Sequence, residues 1–172
     1  VALDSGEILG VEALIRWQDP DHGLVPPGQF IPVLEECGLI GEVGRWALQQ
    51  ALRDQSAWWA QGVTAPRVAV NVSPLQLRRQ DFADDIVALV DGQALNELEL
   101  EITESMILSQ NAAPLANLWA LKDLGITLSL DDFGTGYSSL SYLKQLPIDT
   151  LKIDKSFVRE IGPNANDNTL VQ

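Results

Sequence analysis

Polar side chains that could bind metal ions and phosphate recur on segments of this sequence whose alternate residues are apolar. The polar residues on these segments are Glu12, Arg16, Asn71, Glu99, Glu101, Ser129, Asp131, Lys152 and Asp154. Successive side chains of a strand point to opposite faces, so the polar residues of each strand take one face together. Buried charges without partners are costly, so these groups must be satisfied by ions, by ligands or by one another. The pattern therefore predicts a functional site on one face of a sheet.

Glu12 and Arg16 are four residues apart in a predicted strand over residues 10–17. We expect both side chains on the same face, where the carboxylate could bind a metal ion. The Arg16 guanidinium offers two parallel donors that suit a phosphate group. An ion pair between the two residues at the margin of a sheet is the structural alternative.

Asn71 stands near the end of a predicted strand over residues 67–73, three residues before Pro74. Its amide oxygen is a ligand that a hard cation accepts. The alternative is that Asn71 caps a helix that begins at Pro74.

Glu101 lies on the polar face of the predicted strand 98–103, near its C-terminal end, and is a candidate metal ligand. Glu104 follows three residues later. It is either a supporting acid of the site or a first-turn residue stabilised by the helix dipole. Glu99 lies deeper on the same face, and the sequence assigns no role to it.

The most specific motif is Asp-Asp-Phe-Gly-Thr-Gly-Tyr-Ser-Ser over residues 131–139. Adjacent carboxylates such as Asp131 and Asp132 can bridge two metal ions about 3.5–4 Å apart, a spacing used for phosphoester hydrolysis. The same dipeptide before a glycine also occurs in ordinary turns. Lys152, on the next predicted strand, could orient a hydroxide or offset phosphate charge. The alternative for Lys152 is a structural ion pair with Asp131 or Asp154.

All of these candidate ligands donate oxygen, which favours Mg²⁺ or Mn²⁺ over zinc. The one histidine, His22, stands in a Pro-Asp-His-Gly turn typical of a surface residue, and Cys37 is the one cysteine. A Ser-His-Asp or Cys-His mechanism is therefore disfavoured.

Composition limits the class of protein. The chain has 172 residues, 46% of them hydrophobic, which suffices for one core, and no run of apolar residues reaches the length of a membrane span. The formal net charge of −13 argues against binding of DNA or RNA duplexes, which requires neutralisation of phosphates. No signal peptide is visible, the single Cys37 fits a reducing cytoplasm, and the missing initiator Met suggests a piece of a longer protein.

Predicted strands alternate with predicted helices, which indicates βαβ units and a mainly parallel sheet. The strands span 10–17, 67–73, 98–103, 126–131 and 150–154; the helices span 27–37, 40–61, 74–79, 82–91, 113–123, 137–145 and 155–161. The apolar residues of the helix 40–61 recur at helical spacing and predict a buried stripe of Val43, Trp46, Ala47, Ala51 and Trp58. A parallel sheet with one polar face is typical of a barrel whose lumen is polar. A complete (β/α)₈ barrel takes about 250 residues, so five strands predict either an open sheet or part of a barrel.

Taken together, the motifs resemble the EAL domain, the bacterial phosphodiesterase module for cyclic di-GMP. The resemblance covers essentially the whole chain. It rests on Glu12-Ala13-Leu14 with Arg16, Pro27-x-x-Phe30-Ile31-Pro32, Asn71-Val72-Ser73, Glu101-Ile102-Thr103-Glu104, the segment 131–139 and Leu151-Lys152-Ile153-Asp154.

The resemblance implies an α/β fold, the (β/α)₈ TIM-like barrel, and a set of roles. The implied metal ligands are Glu12, Asn71, Glu101 and Asp131, with Asp132 serving a second metal ion. Arg16 and Asp132 would contact the substrate, and Lys152 would act with Glu12 and Asp131 in catalysis by orienting the attacking water. Glu104 would anchor the loop 133–139, which in this family links the site to a dimer interface. The partners implied are cyclic di-GMP, a second copy of the domain and an upstream sensory or cyclase domain, in the cytoplasm.

The chain departs from the family pattern at its ends. The opening strand and the last two β/α units, which carry a further catalytic Glu, have no match, so residues 1–172 are expected to form a partial domain. The expected activity of the parent domain is hydrolysis of cyclic di-GMP to linear pGpG. One alternative is an inactive domain that senses cyclic di-GMP; another is a glycosidase with Glu12 and Glu101 as its acid pair, which the adjacent Asp131-Asp132 and Lys152 disfavour.

Overall fold

The computed structural model describes residues 1–63, 66–90, 97–107, 112–134 and 143–159. The strands are β1 (Gly10–Ala13), β2 (Trp17–Asp19), β3 (Gly23–Val25), β4 (Arg67–Asn71), β5 (Leu98–Thr103), β6 (Thr127–Phe133) and β7 (Thr150–Ile153). The helices are α1 (Pro27–Glu36), α2 (Ile40–Ala60), α3 (Pro74–Leu77), α4 (Phe82–Val90), α5 (Glu104–Ile107), α6 (Ala112–Asp123) and α7 (Lys155–Arg159). Most of the predicted helix 137–145 and the end of the helix 155–161 lie outside these residues.

Five strands form one sheet in the order β1-β4-β5-β6-β7, and every neighbouring pair is parallel. This order follows the chain, as expected when each strand is connected to the next by a crossover helix. The predicted parallel sheet built from βαβ units is therefore confirmed.

The hydrophobic core lies between the sheet and its helices. Alternate strand residues such as Val70, Leu100, Ile102, Leu128 and Leu130 are buried there. Helices α2 and α6 pack against strands β4 and β6. Because these residues take the apolar face of each strand, the polar residues in between are left on the opposite face.

The first predicted strand is shorter than its alternation indicated. Strand β1 ends at Ala13, and the chain then forms an antiparallel hairpin of β2 and β3. Asp19 fixes the turn of the hairpin, since its Oδ1 accepts hydrogen bonds from the backbone amides of Asp21 and His22. Arg16 therefore precedes the hairpin and does not continue the strand that carries Glu12.

Helix α2 matches its predicted bounds within one residue, and its buried face includes Ala51 of the predicted stripe but not Trp46. The buried residues include Leu48, Ala51, Leu52 and Gln55, whose spacing of three and four places them on one side of the helix. Trp46, predicted to be buried, is 52% exposed. It stands two positions before Leu48 and so projects from the other side of the helix.

Within the described residues, no helix has the length and apolarity that crossing a bilayer requires.

Candidate active site

The candidate residues lie on neighbouring strands of the parallel sheet. Asn71, the last residue of β4, is directly opposite Glu101 of β5, and Glu101 is directly opposite Ser129 of β6. Further along β6, Leu130 pairs with Leu151 and Phe133 with Ile153 of β7. Asp131 and Asp132 lie between these two pairs and therefore stand opposite Lys152. The sheet thus brings together side chains that are distant in sequence, as the strand pattern predicted.

Glu12 and Asn71 are in contact across β1 and β4. The Asn71 amide nitrogen donates to Glu12 Oε1 at 2.7 Å. Helix α3 takes its cap from Ser73, whose Oγ accepts the Leu75 amide. The helix-cap alternative for Asn71 is therefore wrong, and its amide oxygen forms no hydrogen bond to the described residues.

Glu101 is the most deeply buried charged residue of the site, with 1% of its surface exposed. Its Oε1 accepts a hydrogen bond from Lys152 Nζ, which reaches from β7 across β6. Its Oε2 is buried without a hydrogen-bond partner in the described structure. Lys152 thus pairs with Glu101, not with Asp131 or Asp154 as the sequence alternative supposed.

The pKa values of Glu101 and Lys152 are both raised, for different reasons. Burial raises the pKa of Glu101; Lys152 offsets part of this effect, and the charges of Glu12 and Asp131 add to it. Partial burial alone would lower the pKa of Lys152, but the hydrogen bond to Glu101 and the nearby carboxylates raise it overall. Both groups therefore hold their protons more tightly than in water, Glu101 mainly because it is buried and Lys152 because carboxylates surround it.

Asp131 and Asp132 lie at an irregularity in the pairing of β6 with β7, where two residues of β6 oppose one of β7. Asp132 has a φ of +53°, in the left-handed region that non-glycine residues seldom adopt. Loss of hydration and the nearby Asp131 and Asp154 carboxylates raise the pKa of Asp132. At this bulge the regular alternation of side chains between the two faces of the strand is interrupted at Asp131 and Asp132.

Glu104 is buried at the start of α5, and its Oε2 accepts a hydrogen bond from the Gly134 amide at 3.1 Å. Gly134 has a φ of +100°, and a Cβ at this position would lie 2.7 Å from the ring of Phe157. The beginning of the loop 133–139 is thus held by Glu104 and packed against α7. Residues 135–139 of the predicted motif lie outside the described residues.

Arg16 is exposed at the rim of the site, and its Nη1 donates to the carbonyl of Ile15 at 2.8 Å. The described ion pairs do not include one between Arg16 and Glu12, so the predicted strand ion pair is not formed. The guanidinium therefore remains available to an anion from solvent.

Glu99, which the sequence left without a role, pairs with Arg67 Nη1 at 3.4 Å near the N-terminal end of the sheet. Glu99 lies two residues before Glu101 on the same face of β5, and the contact with Arg67 neutralises its carboxylate. The sequence does place Arg67 at the start of the strand that precedes Glu99 along the chain. That the two residues pair depends on the register of β4 and β5, which the sequence alone does not give.

A cation would fit the donors of this site. The described parts of the chain contain no group of three or more His, Cys, Asp or Glu side chains placed close enough to hold a metal ion together. Yet Glu101 Oε2 is buried without a hydrogen-bond partner in the described structure, and the half-buried Asp131 lies on the neighbouring strand β6. Unpaired oxygens of this kind suit Mg²⁺ or Mn²⁺.

Comparisons with known proteins identify relatives of this chain. MucR of Pseudomonas aeruginosa, a bifunctional diguanylate cyclase and cyclic di-GMP phosphodiesterase, is 42% identical over 173 residues, which are 99% of this chain and 25% of MucR. The oxygen sensor protein DosP of Escherichia coli is 42% identical over 157 residues, 90% of this chain and 20% of DosP. The chain thus spans a quarter or less of these relatives.

A solved structure of the MucR phosphodiesterase in complex with c-di-GMP superimposes with a TM-score of 0.89. It is 42% identical and covers 96% of this chain and 68% of that chain. The expected fold class, a (β/α)₈ TIM-like barrel that is incomplete in this chain, is thereby confirmed. A family model described as the EAL domain matches residues 1–172. The chain therefore belongs to the EAL domain family.

Proposed function

We propose that residues 1–172 are part of a cyclic-guanylate-specific phosphodiesterase domain that hydrolyses cyclic di-GMP to linear pGpG. The observation that carries this proposal is the row of oxygen donors on adjacent strands, centred on the buried and unpaired Glu101 Oε2. Similarity to MucR, which is named as a phosphodiesterase and was solved with c-di-GMP, supports the substrate.

Mg²⁺ or Mn²⁺ would be held by oxygen atoms already on neighbouring strands. The proposed ligands are Glu12, Asn71, Glu101 and Asp131, with Asp132 for a second ion. When bound, such ions act as Lewis acids and lower the pKa of a bound water. Asn71 suits this role because its amide nitrogen holds Glu12 while its oxygen stays available.

Arg16 and Lys152 would act on the substrate and on water. The exposed Arg16 guanidinium can bind a non-bridging phosphate oxygen and fix the phosphodiester for in-line attack. Lys152 keeps its proton among the carboxylates and would orient the attacking water through a hydrogen bond. Asp132 would contribute to substrate binding beside the second ion, and Glu104 would keep the loop 133–139 in place through Gly134.

The proposal includes the setting of the domain. This chain spans only a quarter or less of MucR and DosP, which supports an additional sensory or cyclase domain in the full-length protein. We place that domain upstream, in a cytoplasmic protein whose two copies would meet through the loop 133–139. Binding of cyclic di-GMP without turnover would instead support the alternative of a sensor domain.

The metal requirement is tested with the full-length protein. Hydrolysis of cyclic di-GMP should require Mg²⁺ or Mn²⁺ and stop with EDTA, and Ca²⁺ should inhibit because its looser coordination does not suit a two-metal site. Chromatography of the product measures each rate. Full turnover in EDTA would contradict the proposal.

The ligand assignment is tested by substitution. Glu12→Ala and Asp131→Ala should lower kcat by more than about tenfold, or about 1.4 kcal/mol of barrier, whereas Arg16→Ala should mainly raise KM. Glu36→Ala, an exposed carboxylate on α1, is the matched control. If Glu12→Ala kept more than a tenth of the kcat, Glu12 would not be a ligand.

A further inference from the structure

Ser73 joins helix α1 to the strand end that carries Asn71. Its Oγ donates to Glu35 Oε1 at 2.5 Å and accepts the Leu75 amide at 3.2 Å. Its backbone amide donates to Gln76 Oε1 at 3.1 Å. Ser73 and Gln76 are buried and Glu35 is half-buried, so these hydrogen bonds are at least partly shielded from water and fix the chain between β4 and α3.

Asn71 is two residues before this anchor. On its other side, the strand is held by β5, since the Val72 amide donates to the carbonyl of Glu101 at 2.9 Å. The backbone that presents the Asn71 amide is thus fixed by β5 and by the contact of Ser73 with Glu35. Glu35, through its hydrogen bond with Ser73, is the contact that connects this backbone to helix α1.

The surroundings of Glu35 separate it from an ordinary surface carboxylate. Glu35 lines the same cavity of about 470 Å³ as Arg16 and Asn71, at the C-terminal ends of β1 and β4. The adjacent Glu36 is exposed and makes no hydrogen bond or ion pair to the described residues.

Gly44 makes room for the same network. A Cβ at this position would lie 2.2 Å from Gln76 Nε2, so a larger residue in α2 would displace the side chain that binds Ser73. Helices α1, α2 and α3 therefore contribute to one buried arrangement behind Asn71.

We propose that Glu35 is a positioning residue for Asn71, acting through Ser73. This inference rests on the proposed function, in which the Asn71 amide oxygen binds Mg²⁺ or Mn²⁺. Glu35 contributes no atom to that ion. It fixes the strand end so that Asn71 can hold Glu12 with its nitrogen and offer its oxygen to the metal at the same time.

The test measures Mn²⁺ binding to the full-length protein from the electron paramagnetic resonance signal of free Mn²⁺, beside kcat and KM. Glu35→Ala should weaken Mn²⁺ binding about tenfold, the effect typical of a group that orients a metal ligand. The Mn²⁺ concentration for half-maximal turnover should rise by the same factor, with KM for cyclic di-GMP little changed. Glu35→Gln, which keeps an acceptor for Ser73, should bind Mn²⁺ like the wild type.

Glu36→Ala is the matched control and should leave Mn²⁺ binding unchanged. Ser73→Ala should weaken Mn²⁺ binding at least as much as Glu35→Ala, since it also removes the cap on the Leu75 amide. The double variant should bind Mn²⁺ no more weakly than Ser73→Ala alone, because the contact with Glu35 is already lost in that variant. If Glu35→Ala does not fold by circular dichroism, Glu35→Asp, which is too short to reach Ser73, replaces it with the same expectation.

Two results would contradict the inference, and they are distinguishable. If the wild type binds Mn²⁺ and hydrolyses cyclic di-GMP but Glu35→Ala and Glu35→Asp match Glu36→Ala, Glu35 does not position Asn71. If the wild type neither binds Mn²⁺ nor hydrolyses cyclic di-GMP, the proposed function fails and the inference fails with it.

Discussion

Glu101 and Lys152 show how a charged pair is kept inside this sheet. Glu101 is almost fully buried, whereas Lys152 is one-third exposed and extends across β6 to reach it. Ser129, the register partner of Glu101, occupies the strand between them with a small side chain. Removal of one partner of a buried ion pair leaves an uncompensated charge, which is more damaging than loss of both. The pair is therefore a structural element as well as part of the candidate site.

Lys152→Met tests this pair without metal. We expect the free energy of unfolding at neutral pH in EDTA to fall by about 3 kcal/mol, because Glu101 is left unpaired. Adding Glu101→Gln should restore part of the loss, since the buried charge is then removed. Urea denaturation measures the stability of the single and the double variant. Lys144→Met, which replaces an exposed lysine, is the control. Equal stability of Lys152→Met and Lys144→Met would show that the pair does not stabilise the fold.

At the scale of elements, strand ends and their irregularities decide where the site groups lie. The bulge in β6 places Asp131 and Asp132 together opposite Lys152, at the cost of a left-handed backbone at Asp132. Strained residues of this kind are concentrated at functional sites. Asp149 connects other elements: its carboxylate binds Lys122 of α6 and accepts the Leu128 amide of β6 at 2.9 Å.

Substitution of Asp132 should separate stability from activity. Asp132→Gly should be more stable than Asp132→Ala by about 1 kcal/mol, because glycine adopts positive φ without a steric penalty. Both variants should lose most turnover if Asp132 serves the second metal ion and the substrate. Thermal unfolding and product chromatography make the comparison. An Ala variant as stable as the Gly variant would mean that the backbone is not strained.

Asp149→Asn should make stability less dependent on pH. Burial would raise the pKa of Asp149, but Lys122 and the Leu128 amide outweigh it and lower the pKa. A carboxylate with a lowered folded-state pKa stabilises the fold above its unfolded pKa, about 3.9, and this contribution is lost as the pH falls through the folded pKa. The free energy of unfolding of the wild type should therefore exceed that of Asp149→Asn by about 1 kcal/mol at pH 7, the size expected for a partly exposed hydrogen bond between charged groups.

The Asp149 difference should disappear near pH 2. Urea denaturation at the two pH values measures it, with Asp123→Asn on the exposed end of α6 as control. A constant difference across this range would contradict the assigned role of the charge.

At the scale of the molecule, the described five-stranded sheet has two unpaired edges, β1 and β7. Leu151 and Ile153 of β7 are 48% and 42% exposed, although their positions alternate with the polar Lys152. Exposed edges and apolar strand faces favour association with further segments or with another copy. The sheet alone is thus a poor candidate for an independent, active unit.

Residues 1–172 produced alone should therefore lack phosphodiesterase activity. We also expect them to be less stable than the longer protein or to associate. Product chromatography and light scattering measure these properties, on protein whose intact mass confirms both termini. Turnover comparable to that of the full-length protein would show that five strands suffice for catalysis.

Much of the fold followed from local patterns. The bounds of α1, α2 and β5 were predicted within one residue, because apolar periodicity and helix-ending glycines are local signals. Gly38 and Gly62 have the positive φ expected after a helix. The end of β1 was wrong because a strand persists only while a neighbour pairs with it, and pairing is not a local property. The prediction that Trp46 is buried was wrong, because the apolar character of a residue does not determine which face of its helix packs against the sheet.

Apart from Arg16, which lies beyond the end of β1, the sequence by itself determined which candidate residues stand on the polar face and which donor atoms they carry. Alternation and side-chain chemistry are properties of each strand alone. The tertiary structure decided their partners. Lys152 reaches Glu101 across an intervening strand, Glu99 pairs with Arg67, and Ser73 receives Glu35 from α1. These contacts depend on strand order, register and helix placement, which arise only when the whole sheet is assembled.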